Sequence, residues 1–135
     1  MADAVAVHEG LFTTDTGGAA RLIGGRCTNC GRHQFPRSSI CQYCGSDDIA
    51  QALLSPEGTL WAWTAVTAAP PGYRGEVPYG FGVVELPEGI RVLTRLTEPD
   101  PAALTFGQDM RMRVVPLHTD DEGRDVVTWA FGAVA

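Results

Sequence analysis

Apolar and polar residues alternate in short runs through the second half of the chain, and this spacing predicts strands rather than helices. Thr59 to Thr67 is rich in aromatic and β-branched residues and reads as a first strand. A Pro/Gly loop from Ala68 to Pro78 follows, then a second strand from Tyr79 to Leu86. Pro87-Glu88-Gly89 is a tight turn into a third strand, Ile90 to Leu96. Pro99 and Pro101 make Glu98 to Gln108 a loop with one helical turn. Met110 to Leu117 alternates cleanly, with Met110, Met112 and Val114 on one face and Arg111, Arg113 and Val115 on the other. Thr119 to Arg124 is an acidic turn, and Asp125 to Gly132 a fifth strand carrying Trp129 and Phe131. A long first loop, a hairpin, a wider connection and a second hairpin match a five-stranded OB-type barrel. Closing the barrel buries the alternating faces and removes exposed edges. A β-sandwich is the alternative.

The first half is organised differently. Leu11 to Thr14 and Ala20 to Arg26 read as short strands around an Asp15-Thr16-Gly17-Gly18 turn. Cys27-Thr28-Asn29-Cys30-Gly31 and Cys41-Gln42-Tyr43-Cys44-Gly45 are two copies of one pattern and contain all four cysteines. Paired CxxC segments bring four thiolates together, and a tetrahedral cation takes four soft ligands. The glycine after each second cysteine suits a knuckle that turns sharply at positive φ, with a backbone N–H facing a sulfur. The spacer between the pairs is long enough for a small hairpin, about five extended residues out and five back. Two disulfides or four free thiols are the competing readings, and iron competes with zinc for such a site. Zinc is the expectation, and a closed four-thiolate site makes it structural. The expected plan is mostly β: an arm over 1–19, a zinc ribbon over 20–54 and the barrel over 55–135.

Charge narrows the function classes. The net charge is −6, and every basic residue is an arginine. This opposes general binding to a phosphate backbone and removes Schiff-base lysine chemistry. The balance is uneven, because Thr16 to Ser46 contains no Asp or Glu but holds Arg21, Arg26, Arg32 and Arg37. The ribbon is therefore the electropositive end. Hydrophobic residues make up 44% of the chain, which supports a core, yet no apolar run reaches membrane-spanning length. The first residues lack a signal-peptide pattern, and CxxC pairs that stay reduced point to the cytoplasm.

Motifs for catalysis are missing. The chain has no G-x-S-x-G elbow, P-loop, Rossmann glycine pattern or HExxH. His8, His33 and His118 are scattered and read as solvated loop residues, although His33 lies between Arg32 and Arg37. Asp120-Asp121-Glu122 reads as a hairpin tip. Trp61 and Trp63 fall on one face of the first strand, either as aromatic core or as a platform for a base. A single-stranded nucleic-acid module is thus one functional alternative, opposed by the acidic total; a rubredoxin-like electron carrier is another.

The ordered set Arg26-Cys27-Thr28-Asn29-Cys30-Gly31, Phe35-Pro36-Arg37, Cys41-Gln42-Tyr43-Cys44-Gly45-Ser46, Gly58-Thr59-Leu60, Val77-Pro78-Tyr79-Gly80, Val84 to Arg91 and Phe106-Gly107-Gln108 resembles the acyl-CoA-associated zinc-ribbon/OB-fold family. The resemblance runs from about Leu22 to the C-terminus. It implies an accessory subunit, not catalytic alone, in a hetero-oligomer with a thiolase-like or lipid-transfer-type aldolase or thiolase. The partner would carry the catalytic residues, and this chain would help form its acyl-CoA site. The reaction implied is retro-aldol or thiolytic carbon–carbon cleavage of a thioester such as a steroid side-chain or aromatic degradation intermediate. On that reading Arg32, His33 and Arg37 are candidates to contact coenzyme A phosphates. Tyr73, Arg74, Pro78 and Tyr79 are candidates for the partner interface, on a semi-rigid aromatic rim.

Overall fold

The computed structural model describes residues 5–6, 11–13 and 20–134. Its strands are β1 (Val5–Ala6), β2 (Ile23–Cys27), β3 (His33–Gln34), β4 (Ile49–Leu53), β5 (Glu57–Val66), β6 (Tyr79–Glu85), β7 (Arg91–Leu96), β8 (Asp109–Thr119) and β9 (Asp125–Ala133). Among the described residues the only helical element is a 3₁₀ turn, Pro101–Ala103, in the proline-containing connection. Asp100 caps it by accepting a hydrogen bond from the Ala102 N–H. Among the described residues no helix is long and apolar enough to cross a membrane.

β5 to β9 close on themselves. β5 pairs with β6, β6 with β7, β7 with β9, β9 with β8, and β8 returns to β5. All of these pairs are antiparallel except β7–β9, which is parallel and joins at Leu96 and Phe131. This is the five-stranded OB-type barrel that the strand spacing predicts. β5 starts two residues before the predicted first strand and stops one short of Thr67, β8 extends the predicted fourth strand at both ends, and β9 extends the fifth by one residue. The alternation in β8 holds: Met110 and Met112 are buried while Arg111 and Arg113 are exposed.

Two bulges change what the pattern alone suggests. In β5 the register slips between Leu60 and Ala62, so Trp61 is an extra residue. Leu60 is buried, Trp61 points outward beside Arg91, and Trp63 packs against the core. The two tryptophans therefore do not share a face, contrary to simple alternation, and the pair does not form the alternative base-stacking platform. In β8 the register slips between Pro116 and His118. A proline cannot donate to the ladder, and a bulge accommodates it. His118 consequently sits in a strand with its Nδ1 buried, not in a solvated loop.

β2 is the centre of a small second sheet, ordered β3-β2-β4. The spacer between the CxxC pairs does not fold on itself as a hairpin. Its His33–Gln34 segment pairs back on Arg26 and Gly25 instead. Phe12 bridges Leu22, as the expected N-terminal pairing requires, while Thr14, the Asp15 to Gly18 turn and His8 lie outside the described residues. Part of the arm is strand: Val5–Ala6 runs parallel to β9 at Val126 and Val127.

The core crosses both sheets. Leu22 and Leu54, which flank the ribbon, are fully buried with Leu60, Val84, Leu96, Met110 and Phe131 of the barrel. Trp129 stacks against Phe12 and edge-on against Phe35, each at 5.7 Å. Arg21 is taken up structurally, donating through Nε to the Leu54 carbonyl at 2.7 Å.

At the β8–β9 tip the Asp120 carboxylate organises the turn. It accepts from the backbone N–H groups of Glu122 and Arg124 and from Arg124 Nε. The Arg124 backbone N–H first, and then its side chain, hold the Asp120 carboxyl below its ordinary range. A depressed folded value means that this turn contributes stability above the unfolded pKa of Asp120, lost as pH falls through the folded value. A carboxyl-detected NMR titration is expected to place Asp120 below the ordinary aspartate range, and Arg124→Ala to raise it.

Candidate metal centre and partner face

Each CxxC folds as a knuckle for reasons local to its sequence. Gly31 and Gly45 both adopt φ of 78°, the conformation that glycine tolerates best. Their N–H groups close the turns on the carbonyls of Cys27 and Cys41 at 2.9 and 3.0 Å. The Cys30 N–H then faces Cys27 Sγ at 3.5 Å, and the Tyr43 N–H faces Cys41 Sγ at 3.4 Å. One knuckle follows β2 and the other precedes β4, and the β2–β4 ladder, which pairs Cys27 with Ile49, holds them together.

The four Sγ atoms lie within 4.8 Å of one another, with Cys27–Cys44 and Cys30–Cys41 at 3.6 Å each. Thiolates held about 2.3 Å from a tetrahedral zinc are separated by about 3.8 Å, so the cluster fits such an ion. Cys27 and Cys41 are buried and Cys30 and Cys44 exposed. Asn29 donates to Cys44 Sγ at 3.5 Å and, with the Ser46 N–H, lowers that thiol to about 6. Cys30 moves the other way, to about 11: the Arg32 backbone N–H lowers it, but desolvation and the neighbouring thiols outweigh that.

The three candidate phosphate contacts are not brought together. Arg32 and His33 line a cavity of about 340 Å³ between ribbon and barrel, with Cys30, Tyr43, Glu88 and Ile90. The Arg32 guanidinium lies 4.9 Å over the Tyr43 ring. Arg37 is turned elsewhere and donates to the Ile49 carbonyl at 3.3 Å. Glu88, read from sequence as a turn residue, accepts from the Ser55 N–H through Oε2, while its buried Oε1 has no partner among the described residues.

The candidate interface residues do converge. The Tyr73 and Tyr79 rings are 5.0 Å apart, and Tyr73 Oη donates to the Glu76 carbonyl. Arg74 reaches across to Asp121 at 3.4 Å, tying this loop to the β8–β9 turn. Pro78 and Tyr79 border a cavity of about 230 Å³. Sequence reasoning passed over Arg95, which lies beneath this group on β7, 4.5 Å from the Tyr79 ring centroid and hydrogen-bonded to Tyr73 Oη at 2.9 Å. The available signal was its register opposite Phe81, two residues after Tyr79.

Two family models cover most of this architecture. Residues 16–50 match the ChsH2 rubredoxin-like zinc ribbon domain, and residues 51–115 match the ChsH2 C-terminal OB-fold domain. A DUF35 domain-containing scaffold protein of Pyrococcus furiosus is 37% identical over 76% of this chain and 74% of its own length. The chain belongs to the DUF35 family. Another relative of this DUF35 chain is the benzoylsuccinyl-CoA thiolase subunit BbsA of Thauera aromatica, 26% identical over 92% of this chain and 85% of that subunit. Among solved structures, a chain of an Ltp2–ChsH2(DUF35) aldolase superposes with a TM-score of 0.67 at 25% identity, covering 85% of this chain and 86% of the other. The DUF35 chain is thus similar in sequence to a thiolase subunit and in fold to a chain of an aldolase.

Proposed function

We propose that this chain is a non-catalytic accessory subunit of a thiolase-fold enzyme that cleaves a carbon–carbon bond in an acyl-CoA thioester. The observation that carries this reading is its near-full-length similarity to BbsA, a thiolase subunit, together with the aldolase chain of matching fold. The ribbon holds zinc in a closed four-thiolate site, where it serves structure and not chemistry. The chain works in the cytoplasm, which keeps such thiolates reduced. The Tyr73, Arg74, Pro78 and Tyr79 rim docks on the partner, using aromatic area and a loop held in place by Asp121. Arg32 and His33 face the coenzyme A phosphates from the ribbon–barrel cavity, while Arg37, turned toward Ile49, takes no part in that contact.

A tagged pull-down from the native cytosol tests the reading, with the eluate identified and assayed for acyl-CoA carbon–carbon cleavage. A thiolase-fold protein whose activity or solubility depends on this chain is the expected result. Deleting Tyr73 to Glu76 is expected to abolish its recovery, and Arg32→Ala to weaken acyl-CoA binding by the assembled complex. Recovery of nucleic acid in place of a partner would overturn the assignment.

A further inference from the structure

We propose that Arg95 anchors a binding cleft for a carboxylate carried on an apolar group, on the outer face of β6 and β7. This face, with the first loop and the β8–β9 turn at its ends, is where OB barrels generally take their ligands. Three separate cavities, of about 270, 230 and 220 Å³, all border Arg95. Among the described residues its charge has no carboxylate partner, since the ion pairs there use Arg74, Arg91, Arg111 and Arg124. Among the described residues its guanidinium makes one hydrogen bond, to Tyr73 Oη, whose own proton is committed to the Glu76 carbonyl. With the guanidinium held over the Tyr79 ring, the remaining N–H groups are left for an acceptor from outside.

The cleft walls set the ligand class. In the cavity of about 220 Å³ Phe81, Leu93, Leu117 and Trp129 supply apolar surface beside Arg95. Leu93 is 64% exposed and Phe81 37%, which leaves that surface open for a tail to cover. Glu76 and Asp125 line the adjoining cavity of about 270 Å³ and oppose a multiply charged anion there. One guanidinium, apolar walls and flanking carboxylates together fit a monoanion on an apolar group better than a phosphate. The cleft shares Tyr73 and Tyr79 with the proposed partner rim, but its chemistry is read on the full chain alone.

NMR titration of the zinc-loaded full chain tests this with three probes: 4-phenylbutanoate, 4-phenylbutanamide and inorganic phosphate. The acid is expected to shift the Arg95 Nε–H and the amides of Leu93, Arg95 and Thr128 saturably. The neutral amide and phosphate are expected to bind about tenfold more weakly or worse, the scale of a charge-assisted bidentate contact. Arg95→Met, which keeps the side-chain stem over Tyr79, is expected to remove the preference for acid over amide. Equal binding of acid and amide, or an unchanged preference in Arg95→Met, would overturn the site; if that variant does not fold, the wild-type comparison of acid, amide and phosphate decides. An acetylated apolar pentapeptide with a free C-terminus then separates the sources. Tighter binding than phenylbutanoate assigns the carboxylate to a protein segment, and weaker binding assigns it to an acyl group. Because no partner enters these measurements, their failure leaves the pull-down result untouched.

Discussion

Cys27→Ser is expected to unfold the ribbon and to take much of the barrel's packing with it. Apparent zinc-binding energies in small structural sites are about 10–16 kcal/mol at neutral pH. A domain of this size has a total stability of only about 5–15 kcal/mol, so losing the site removes a margin as large as the whole. The damage does not stop at the knuckles. Leu22 and Leu54, on the two sides of the ribbon, are fully buried in the same core as the barrel strands. Phe35, in the spacer between the CxxC pairs, packs edge-on against Trp129 of β9. Releasing the thiolates frees that spacer, and Trp129 loses its neighbour. Zinc content by mass spectrometry should fall from one ion per chain to none, with a lowered melting temperature and a red-shifted tryptophan emission. Strong chelation of the wild type should reproduce both. Binding needs thiolates, so zinc affinity should rise with pH, since the Cys30 thiol, pushed up to about 11, must give up its proton to the ion. A Cys27→Ser chain that melts like the wild type would show that the metal is dispensable to the fold.

Much of this molecule is legible in its sequence because its strongest signals are local. Paired CxxC-Gly segments dictate the knuckles, since each glycine and each sulfur-facing N–H belongs to one short turn. Alternation in β8 and the proline-rich connection before it are local in the same sense. What the sequence conceals depends on a second strand. The Trp61 and Pro116–His118 bulges arise from register against β6 and β9, and each reverses the facing that simple alternation implies. Arg32 and Arg37 are close in sequence, but β3 pairs back on β2 and sends Arg37 toward Ile49. Arg95 looks like any outward residue on a hairpin until the first loop folds Tyr73 and Tyr79 over it. The core shared by ribbon and barrel is equally hidden, because nothing near Leu22 or Leu54 signals what they will touch.

Phe131→Ala should be the most damaging single truncation inside the barrel. Phe131 is fully buried, and it is the point on β9 that pairs with Leu96 to join β9 to β7. Its carbonyl accepts from the Thr97 N–H at 3.0 Å, and across the other ladder it faces Met112. Removing a buried phenyl ring typically costs about 3–5 kcal/mol, through lost transfer energy and the cavity left behind. Here relaxation is constrained on both sides, since Leu96 and Met112 belong to strands fixed by other ladders. Urea denaturation should therefore show a drop near the upper part of that range with zinc still bound. Phe106→Ala is the control: Phe106 is 65% exposed, and its truncation should change stability by about 0.5 kcal/mol or less. Equal losses in the two variants would contradict the burial on which the barrel closure rests. A large loss confined to Phe131 with zinc retained would separate barrel packing from metal binding, which Cys27→Ser perturbs together.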